Sequence, residues 1–199
     1  RSSDLDKFTG GSMKEKIKLI VVLLLIIVVA VFFIFKSKTK METSVKKNTD
    51  VEVPNLVLYD QYGKEHNLEE YKGKVIIVNF WATWCGYCVE EMPAFEKVYK
   101  EFGSNSKDVI IIGVAGPKSK LNANNVDVSK EEITAFLKKK NITYPTLMDE
   151  TGKSFDDYKV RALPMTYVIN KDGYLEGFVN GAITDEQLRK AINETLKKK

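Results

Sequence analysis

The chain has 199 residues, of which 44% are hydrophobic and 29% are charged, with 12 Gly, 5 Pro, 2 Cys and a single His. This composition excludes disordered, collagen-like and disulfide-scaffold proteins, and the length suits one domain with short extensions. The net charge of +4 is unevenly distributed, because residues 1–47 carry 10 Lys and Arg against 4 Asp and Glu, whereas residues 48–199 carry 21 against 23. The second segment has no excess positive charge for phosphates, so we expect no nucleic-acid partner.

The first fifty residues divide into three predicted segments. Residues 1–12 precede Met13 and are interpreted as a vector-derived remnant. Residues 13–35 are predicted to be a membrane anchor, because 17 uncharged residues run from Leu19 to Phe35. As a helix this run would be about 26 Å long, near the lower limit for crossing a bilayer, and it lacks the small-residue site of a cleavable signal peptide. Residues 36–50 predict a linker, and the domain is expected over residues 51–199.

Hydrophobic patterns predict strands along the domain. The predicted strands are 56–59, 75–81, 109–114, 165–170 and 174–179. The runs 75–81 and 109–114 are β-prone and largely apolar, which is typical of strands buried on both faces. The last two strands flank the turn sequence from Asn170 to Gly173 and therefore predict a hairpin.

Helices are predicted between and after these strands. The predicted helices are 88–102, 129–140, and a last helix with Leu188, Ile192 and Leu196 on its buried face. Capping boxes open the second helix at Ser129 and the last helix at Thr184. Strands that alternate with helices, and then end in a hairpin and a helix, indicate an α/β domain with a mixed sheet. Residues 116–128 are predicted to be a polar loop.

Two cysteines, Cys85 and Cys88, follow the predicted strand 75–81 where the chain enters a helix. Cys85 is expected at the helix N-terminus, where unpaired N–H groups and the macrodipole favour a thiolate. Cys88, one turn later, is expected to be shielded by the helix and the sheet. This asymmetry predicts a redox pair in which Cys85 attacks a substrate disulfide and Cys88 resolves the mixed disulfide. The dithiol would carry two electrons itself, so we predict no organic cofactor.

Two cysteines at this spacing can also serve roles other than redox chemistry. Haem attachment requires a His after the second cysteine, where Val89 stands. Two Cys and His66 cannot complete a four-ligand zinc site, so no resident metal is predicted. His66 is expected on the surface because its segment is rich in turn residues. A static disulfide is an alternative, although so small a ring constrains little chain entropy. Two thiols can also bind Cu(I) without further ligands.

The segment from Val78 to Cys88, VNFWATWCGYC, closely resembles the active-site segment of thioredoxin-fold proteins of the TlpA/ResA type. The resemblance extends from about Pro54 to Leu196 and includes Lys72–Val75, Glu91–Pro93 and Ala162–Pro164. It implies a thioredoxin fold, with a mixed central sheet flanked by helices, an N-terminal β-hairpin extension and one preceding transmembrane helix. Membrane-tethered thiol–disulfide oxidoreductases dominate this family.

The resemblance implies four catalytic residues: Cys85 as the exposed nucleophile, Cys88 as the resolving thiol, Glu91 as an acid–base group and Pro164 as a cis-proline facing the disulfide. A cis-proline there would leave the main chain of Leu163 free to pair with an extended substrate. A partly buried Glu91 would have a raised pKa and could exchange a proton with Cys88. Thioredoxin carries a buried aspartate at the position of Asn79. Because asparagine cannot titrate, the acid–base role is expected to fall to Glu91.

An apolar collar around Cys85 is expected to contact the substrate. Its substrate-binding residues are predicted to be Trp84, Tyr87, Leu163 and Met165, whereas Trp81 is expected in the core. Two features depart from the pattern of many relatives, namely Gly86–Tyr87 without a proline before the second cysteine, and Leu163 in place of a more polar residue before Pro164. The Gly–Tyr pair also occurs in disulfide isomerases and does not fix the redox direction.

The sequence therefore predicts a membrane-tethered thiol–disulfide oxidoreductase that acts mainly as a reductase. Its expected partners are a membrane thiol electron donor, membrane lipid and a disulfide in an exported protein; the resemblance implies apocytochrome c or a methionine sulfoxide reductase. The alternatives are a disulfide oxidase or isomerase, a thiol peroxidase and a non-catalytic Cu(I)-binding module. The peroxidase requires a Thr and Arg setting, which is not recognisable around either cysteine.

The orientation of the predicted anchor rests on conflicting signals. Five lysines follow the apolar run and three precede it, which by the positive-inside rule favours a cytoplasmic domain. A short N-terminus with three lysines commonly stays inside, and a redox-active cysteine pair suits a compartment outside the reducing cytosol. We predict a single-pass protein of the cell membrane with an extracytoplasmic catalytic domain.

Overall fold

The computed structural model describes residues 17–18, 20–27, 51–125 and 127–198. The chain divides into two compact units, residues 1–42 and 43–199. In the first unit, residues 17–18 and 20–27 are helical and exposed. Among the described residues, no helix combines the length and the apolar character that crossing a bilayer requires. The predicted remnant 1–12, the linker 36–50 and most of the predicted anchor 13–35 lie outside the described residues.

The second unit is built on two β-sheets. Its described strands are β1 Val57–Tyr59, β2 Glu65–Asn67, β3 Val75–Trp81, β4 Val109–Ala115, β5 Thr146–Met148, β6 Met165–Ile169 and β7 Leu175–Asn180. The larger sheet has the strand order β5-β4-β3-β6-β7, in which β3 runs parallel to β4 and antiparallel to β6. β1 and β2 form a separate antiparallel pair. The predicted mixed sheet and N-terminal β-hairpin extension are both present.

Helices flank the larger sheet. The described helices of this unit are α1 Gly86–Glu101, α2 Lys130–Lys139, α3 Lys153–Asp157 and α4 Asp185–Leu196, with a short 3-10 helix at Leu68–Tyr71. Both predicted capping boxes are present, since Ser129 accepts from the N–H of Glu132 and Thr184 accepts from the N–H of Gln187. The domain therefore has the thioredoxin-like α/β fold that the sequence predicted.

The central strand β3 is buried along its whole length because both of its faces are covered. Ile77 and Trp81 point into a core with α1 and α4, where Phe95 and Leu188 are fully buried. Val78 and Phe80 point into a second core on the opposite face. Because side chains alternate along a strand, Asn79 shares the face of Ile77 and Trp81 and is directed towards α1. This alternation places the polar side chain of Asn79 under the helix that carries the cysteines.

His66 is buried, so its predicted surface position is wrong. Its side chain lies on β2 with 2% of its surface exposed. Nε2 lies 2.9 Å from Asp60 Oδ2, and Nδ1 lies 2.6 Å from the hydroxyl of Tyr71. Asp60 also accepts from the N–H groups of Tyr62 and Lys64 in the hairpin turn. The imidazole is buried because both of its nitrogens have partners, which a local turn pattern cannot reveal.

Both ends of the larger sheet are partly covered by neighbouring chain. A bridge joins Asp60, just after β1, to Leu147 on β5. At the other end, the N–H of Leu175 on β7 donates to the C=O of Val51 at 2.8 Å. Edge strands expose unpaired main-chain groups that recruit other chains, and both of these contacts reduce that exposure.

β5, α3 and the 3-10 helix are short elements that the sequence does not predict. β5 has three residues and α3 has five, which is too short for a periodic pattern to be recognised. Helix α1 begins at Gly86, two residues before the predicted start, because Cys85 forms its N-cap. The predicted hairpin is present as β6 and β7.

Candidate active site

The chain passes from β3 to α1 through a tight turn. The N–H of Cys85 donates to the C=O of Ala82 at 3.2 Å, so Thr83 and Trp84 occupy the two central positions of a β-turn. Cys85 then has an extended conformation and caps α1, with its sulfur accepting from the N–H of Cys88 at 3.2 Å. One of the first N–H groups of the helix, that of Cys88, therefore points at the sulfur of Cys85, which lies at the helix N-terminus as the sequence predicted.

Cys85 and Cys88 are joined by a disulfide, with their Cα atoms 5.2 Å apart. Cys85 retains 6% of its surface and Cys88 retains 1%. The difference has the predicted direction, but the expected free exposure of Cys85 is corrected, because both cysteines belong to the core cluster beneath the turn. Access to the Cys85 sulfur is therefore limited to the small part of its surface that the turn leaves open.

Glu91 lies one helical turn after Cys88 and is buried, with 4% of its surface exposed. Its Oε1 accepts from the side-chain amide of Asn79 at 2.9 Å, and its Oε2 accepts from the N–H of Ile183 at 2.9 Å. The same Asn79 amide also donates to the hydroxyl of Thr166 on β6 at 3.0 Å. The carboxyl group thus connects α1 to β3 and to the segment that precedes α4.

Burial raises the pKa of Glu91 to about 7. Desolvation is the largest cause, because a charged carboxylate loses its hydration in the core. The hydrogen bonds from Ile183 and Asn79 oppose this effect and lower the pKa, but they do not cancel it. A carboxyl group that titrates near neutral pH can give or take a proton next to the buried cysteine. The sequence indicated Glu91, but not its hydrogen bonds with Asn79 and Ile183.

The peptide bond between Leu163 and Pro164 is cis, as the resemblance implied. Pro164 is buried, and its C=O accepts from the N–H of Gly181 at 2.9 Å. Among the described residues, none bonds to the N–H or C=O of Leu163. An unpaired stretch of main chain before β6 is therefore available to pair with an extended polypeptide.

A cavity of about 350 Å³ lies beside this main chain. The active-site turn contributes Trp84 to its lining, and the cis-proline segment contributes Leu163. Trp84 is 59% exposed and Tyr87 is 69% exposed, whereas Leu163 and Met165 are half-buried. The four predicted contact residues thus split, because Tyr87 and Met165 do not line this cavity. Trp81 is 1% exposed and stacks on Phe136, which confirms its predicted place in the core.

Asp127 is a site residue that sequence reasoning missed. It lies in the predicted polar loop and is 6% exposed. Its Oδ2 accepts from the N–H of Thr83 at 3.0 Å, and its Oδ1 accepts from the Thr83 hydroxyl. The two residues are 44 positions apart, so no local pattern connects them. In the described part of the chain, no group of three or more His, Cys, Asp or Glu side chains is placed to hold a metal ion.

A thioredoxin-like fold with a disulfide between the cap and the first turn of a helix, together with a cis-proline before β6, defines a thiol–disulfide oxidoreductase. Residues 49–177 match the model of the AhpC/TSA family, and the chain belongs to this family. It is similar to the thiol-disulfide oxidoreductase ResA of Bacillus subtilis, with 32% identity over 142 residues, covering 71% of this chain and 73% of the relative. ResA of Geobacillus thermodenitrificans is 31% identical over 144 residues, covering 72% and 75%.

Solved structures agree with this assignment. The exposed lipoprotein thioredoxin Etrx1 of Streptococcus pneumoniae superimposes with a TM-score of 0.60 and 25% identity, over 71% of this chain and 99% of that structure. StoA of Bacillus subtilis superimposes with a TM-score of 0.58 and 25% identity, over 69% and 96%. The predicted resemblance to TlpA/ResA-type proteins is confirmed.

We predict that Glu91→Gln changes stability in a pH-dependent way. The folded pKa of about 7 exceeds the unfolded value of 4.5, so the native protein holds the extra proton and loses stability as pH rises between these values. Glutamine removes this loss. The unfolding free energy of the oxidised variant, minus that of the wild type, should increase by about 3 kcal/mol from pH 4.5 to 8 in urea titrations.

The exposed neighbour Glu90 provides the control for this comparison. Glu90→Gln should differ from the wild type by less than about 0.5 kcal/mol throughout the range, since surface substitutions rarely exceed that. A difference between Glu91→Gln and the wild type that does not vary with pH would contradict the raised pKa.

Proposed function

We propose that this protein is an extracytoplasmic, membrane-tethered reductase of disulfides in exported proteins. The observation that carries the proposal is the position of Cys85, whose sulfur caps α1 and accepts from the N–H of Cys88. This donor favours a thiolate in the reduced protein, and a thiolate is the form that attacks disulfides. The proposal needs no organic cofactor, because the dithiol supplies two electrons.

The reaction proceeds by two thiol–disulfide exchanges. The Cys85 thiolate attacks one sulfur of the substrate disulfide, forming a mixed disulfide and releasing the other substrate sulfur as a thiolate. The Cys88 thiol then loses its proton and attacks the Cys85 sulfur, which forms the Cys85–Cys88 disulfide and releases the second substrate thiolate. The substrate gains two electrons and the protein loses two. A dithiol electron donor at the membrane restores the reduced protein by the reverse exchange.

In this proposal Glu91 accepts the proton of Cys88. The two residues are three positions apart on α1, so their side chains leave the same face of the helix. The pKa of Glu91, raised to about 7, leaves a large fraction of the side chain ionised at neutral pH and able to act as a base, directly or through one water. Its bonds to Asn79 and Ile183 hold the carboxyl group in place while this proton moves.

The substrate polypeptide binds in an extended form beside Pro164. The unpaired main chain of Leu163 supplies the hydrogen bonds of strand addition, which recognise backbone rather than sequence. The exposed Trp84 and Tyr87 supply apolar contacts around the disulfide, and Met165 flanks the cis-proline. Apocytochrome c and methionine sulfoxide reductases are the candidate recipients that the family resemblance implies.

The proposed location rests on the apolar sequence from Leu19 to Phe35, which we propose anchors the chain in membrane lipid. An anchor would hold the active site near both a membrane dithiol donor and newly exported proteins. Fractionation of cells that express the full chain tests this location. The protein should sediment with membranes, resist extraction by high salt, and be digested by protease added outside intact protoplasts.

We predict that Cys88→Ser traps the substrate. With the resolving thiol removed, the mixed disulfide between Cys85 and the substrate cannot proceed, so a covalent complex should accumulate and disappear on treatment with dithiothreitol. Non-reducing electrophoresis, followed by mass spectrometry of the captured protein, provides the measurement. Cys85→Ser is the matched control and should capture nothing. A Cu(I)-binding module would give no trapped species with either variant.

A second prediction concerns the proton acceptor. Glu91→Gln should slow the resolution of a preformed mixed disulfide by about a hundredfold near pH 7.5, the loss typical of a missing general base. Stopped-flow measurements should show the wild-type rate rising with pH through about 7, as the acid form of Glu91 is lost. The deficit of the variant should shrink at pH 9, where hydroxide deprotonates Cys88. Equal rates for both proteins would exclude Glu91 as the base.

The midpoint potential separates the proposed reductase from an oxidase or isomerase. Equilibration with glutathione should give a value below about −250 mV for a reductase, whereas a strong oxidase lies near about −120 mV. The thiol peroxidase alternative has its own readout, because it requires rapid turnover of hydrogen peroxide. We expect the reduced domain to consume peroxide no faster than an ordinary thiol.

A further inference from the structure

The turn from Ala82 to Cys85 sets the position of Trp84 and Cys85, two of the residues that we propose meet the substrate. Its fourth residue, Cys85, is also the cap of α1, and its third residue, Trp84, is exposed beside the cavity. The i to i+3 hydrogen bond from Cys85 to Ala82 measures 3.2 Å. A single main-chain bond of this kind contributes only about 1 kcal/mol, so a turn that must stay fixed needs further support.

Asp127 supplies that support at the second position of the turn. Its carboxylate accepts from Thr83 twice, from the main-chain N–H at 3.0 Å and from the hydroxyl. A third donor, the N–H of Val128, lies 2.8 Å from Oδ1. Hydrogen bonds to an ionised acceptor are roughly twice as strong as hydrogen bonds between neutral groups. Asp127 is only 6% exposed, so water competes little for these bonds.

The loop that carries Asp127 is itself held by further hydrogen bonds. The N–H of Lys118 donates to the C=O of Val128 at 2.9 Å and closes the base of the loop. Within the loop, the Asn125 amide donates to the C=O of Pro117 at 2.9 Å and to that of Asp149 at 3.0 Å. These bonds attach the loop to the end of β5, so Asp127 belongs to a loop that is held in place.

The bond between Asp127 and Thr83 also joins two segments that line the cavity next to Leu163. Trp84 of the turn, Asp127 of the loop and Leu163 before the cis-proline all line it. If the turn moved, Trp84 and Cys85 would move relative to Leu163, where we propose the substrate pairs. A shift of about 1 Å in such a geometry can cost about a hundredfold in rate.

We propose that Asp127 is a positioning residue for disulfide exchange: by holding both donors of Thr83, it fixes the turn that presents Cys85 and Trp84 to the substrate. This inference rests on the proposed function. The role is geometric and not electrostatic. A negative charge near Cys85 disfavours the thiolate, so if only the charge mattered, its removal would speed the attack. Positioning requires the opposite result.

Two variants separate these effects. Thr83→Val keeps the carboxylate charge but removes the hydroxyl donor, and Asp127→Asn removes the charge while keeping one acceptor oxygen. Each should lower the second-order rate constant for reduction of insulin disulfides by the reduced full-length chain about tenfold. Thr83→Ser restores the hydroxyl donor and should remain within about twofold of the wild type. Rescue by serine is expected only if the hydrogen bond itself is required.

Glu96 provides a matched control for stability. This buried carboxylate on α1 also accepts from a threonine N–H, that of Thr143 at 2.7 Å, from the Thr143 hydroxyl, and from the N–H of Tyr144 at 3.2 Å. It lies about 16 Å along the helix from Cys85. Glu96→Gln should lower the melting temperature as much as Asp127→Asn does and leave the rate constant within about twofold of the wild type.

The possible outcomes are distinct. Wild-type rates for Thr83→Val and Asp127→Asn would overturn the positioning role, as would a faster Asp127→Asn beside an unchanged Thr83→Val. Equal losses in Glu96→Gln and Asp127→Asn would reduce the effect to general stability and also overturn it. A wild-type protein that fails to reduce insulin contradicts the proposed function itself, and the inference that rests on it fails for that separate reason.

Discussion

The sulfur of Cys85 occupies a position that in other helices belongs to a serine, threonine or aspartate oxygen. It caps α1 and accepts the N–H of Cys88, so the same interaction that begins the helix also prepares a thiolate. β3 and the turn after it place Cys85 at this cap position. The residues around the cap have separate roles: Glu91 lies one helical turn beyond Cys88, and Asp127 holds the turn before the cap.

Much of this arrangement is written in short stretches of sequence. The β-prone run from Val75 to Trp81 is typical of a strand buried on both faces, and β3 is buried at every position. The spacing of Cys85 and Cys88 at a strand-to-helix junction predicted both the cap and the order of exposure. The strand and the cap depend on neighbours within a few residues, which is why pattern and propensity were sufficient for them. Glu91 is implied instead by the family resemblance, which places an acidic residue three positions after the second cysteine.

Other features depend on contacts between distant parts of the chain, and the sequence does not display them. Asp127 stands in a polar loop whose composition suggests only solvent exposure, yet its carboxylate is buried against Thr83. The turn-rich segment around His66 predicts a surface position, but Asp60 and Tyr71 are hydrogen-bonding partners for both ring nitrogens in the interior. In each case the desolvation cost of burying a polar group is offset by hydrogen bonds to a partner that only the fold brings near.

The covered ends of the larger sheet restrict where a visiting polypeptide can attach. The bridge from Asp60 to Leu147 and the bond from Leu175 to Val51 occupy main-chain groups at the two sheet borders. Beside the disulfide, the main chain of Leu163 has no such occupant among the described residues. Under the proposed function, an extended substrate therefore finds free main-chain groups before the cis-proline and fewer of them at the two borders of the sheet.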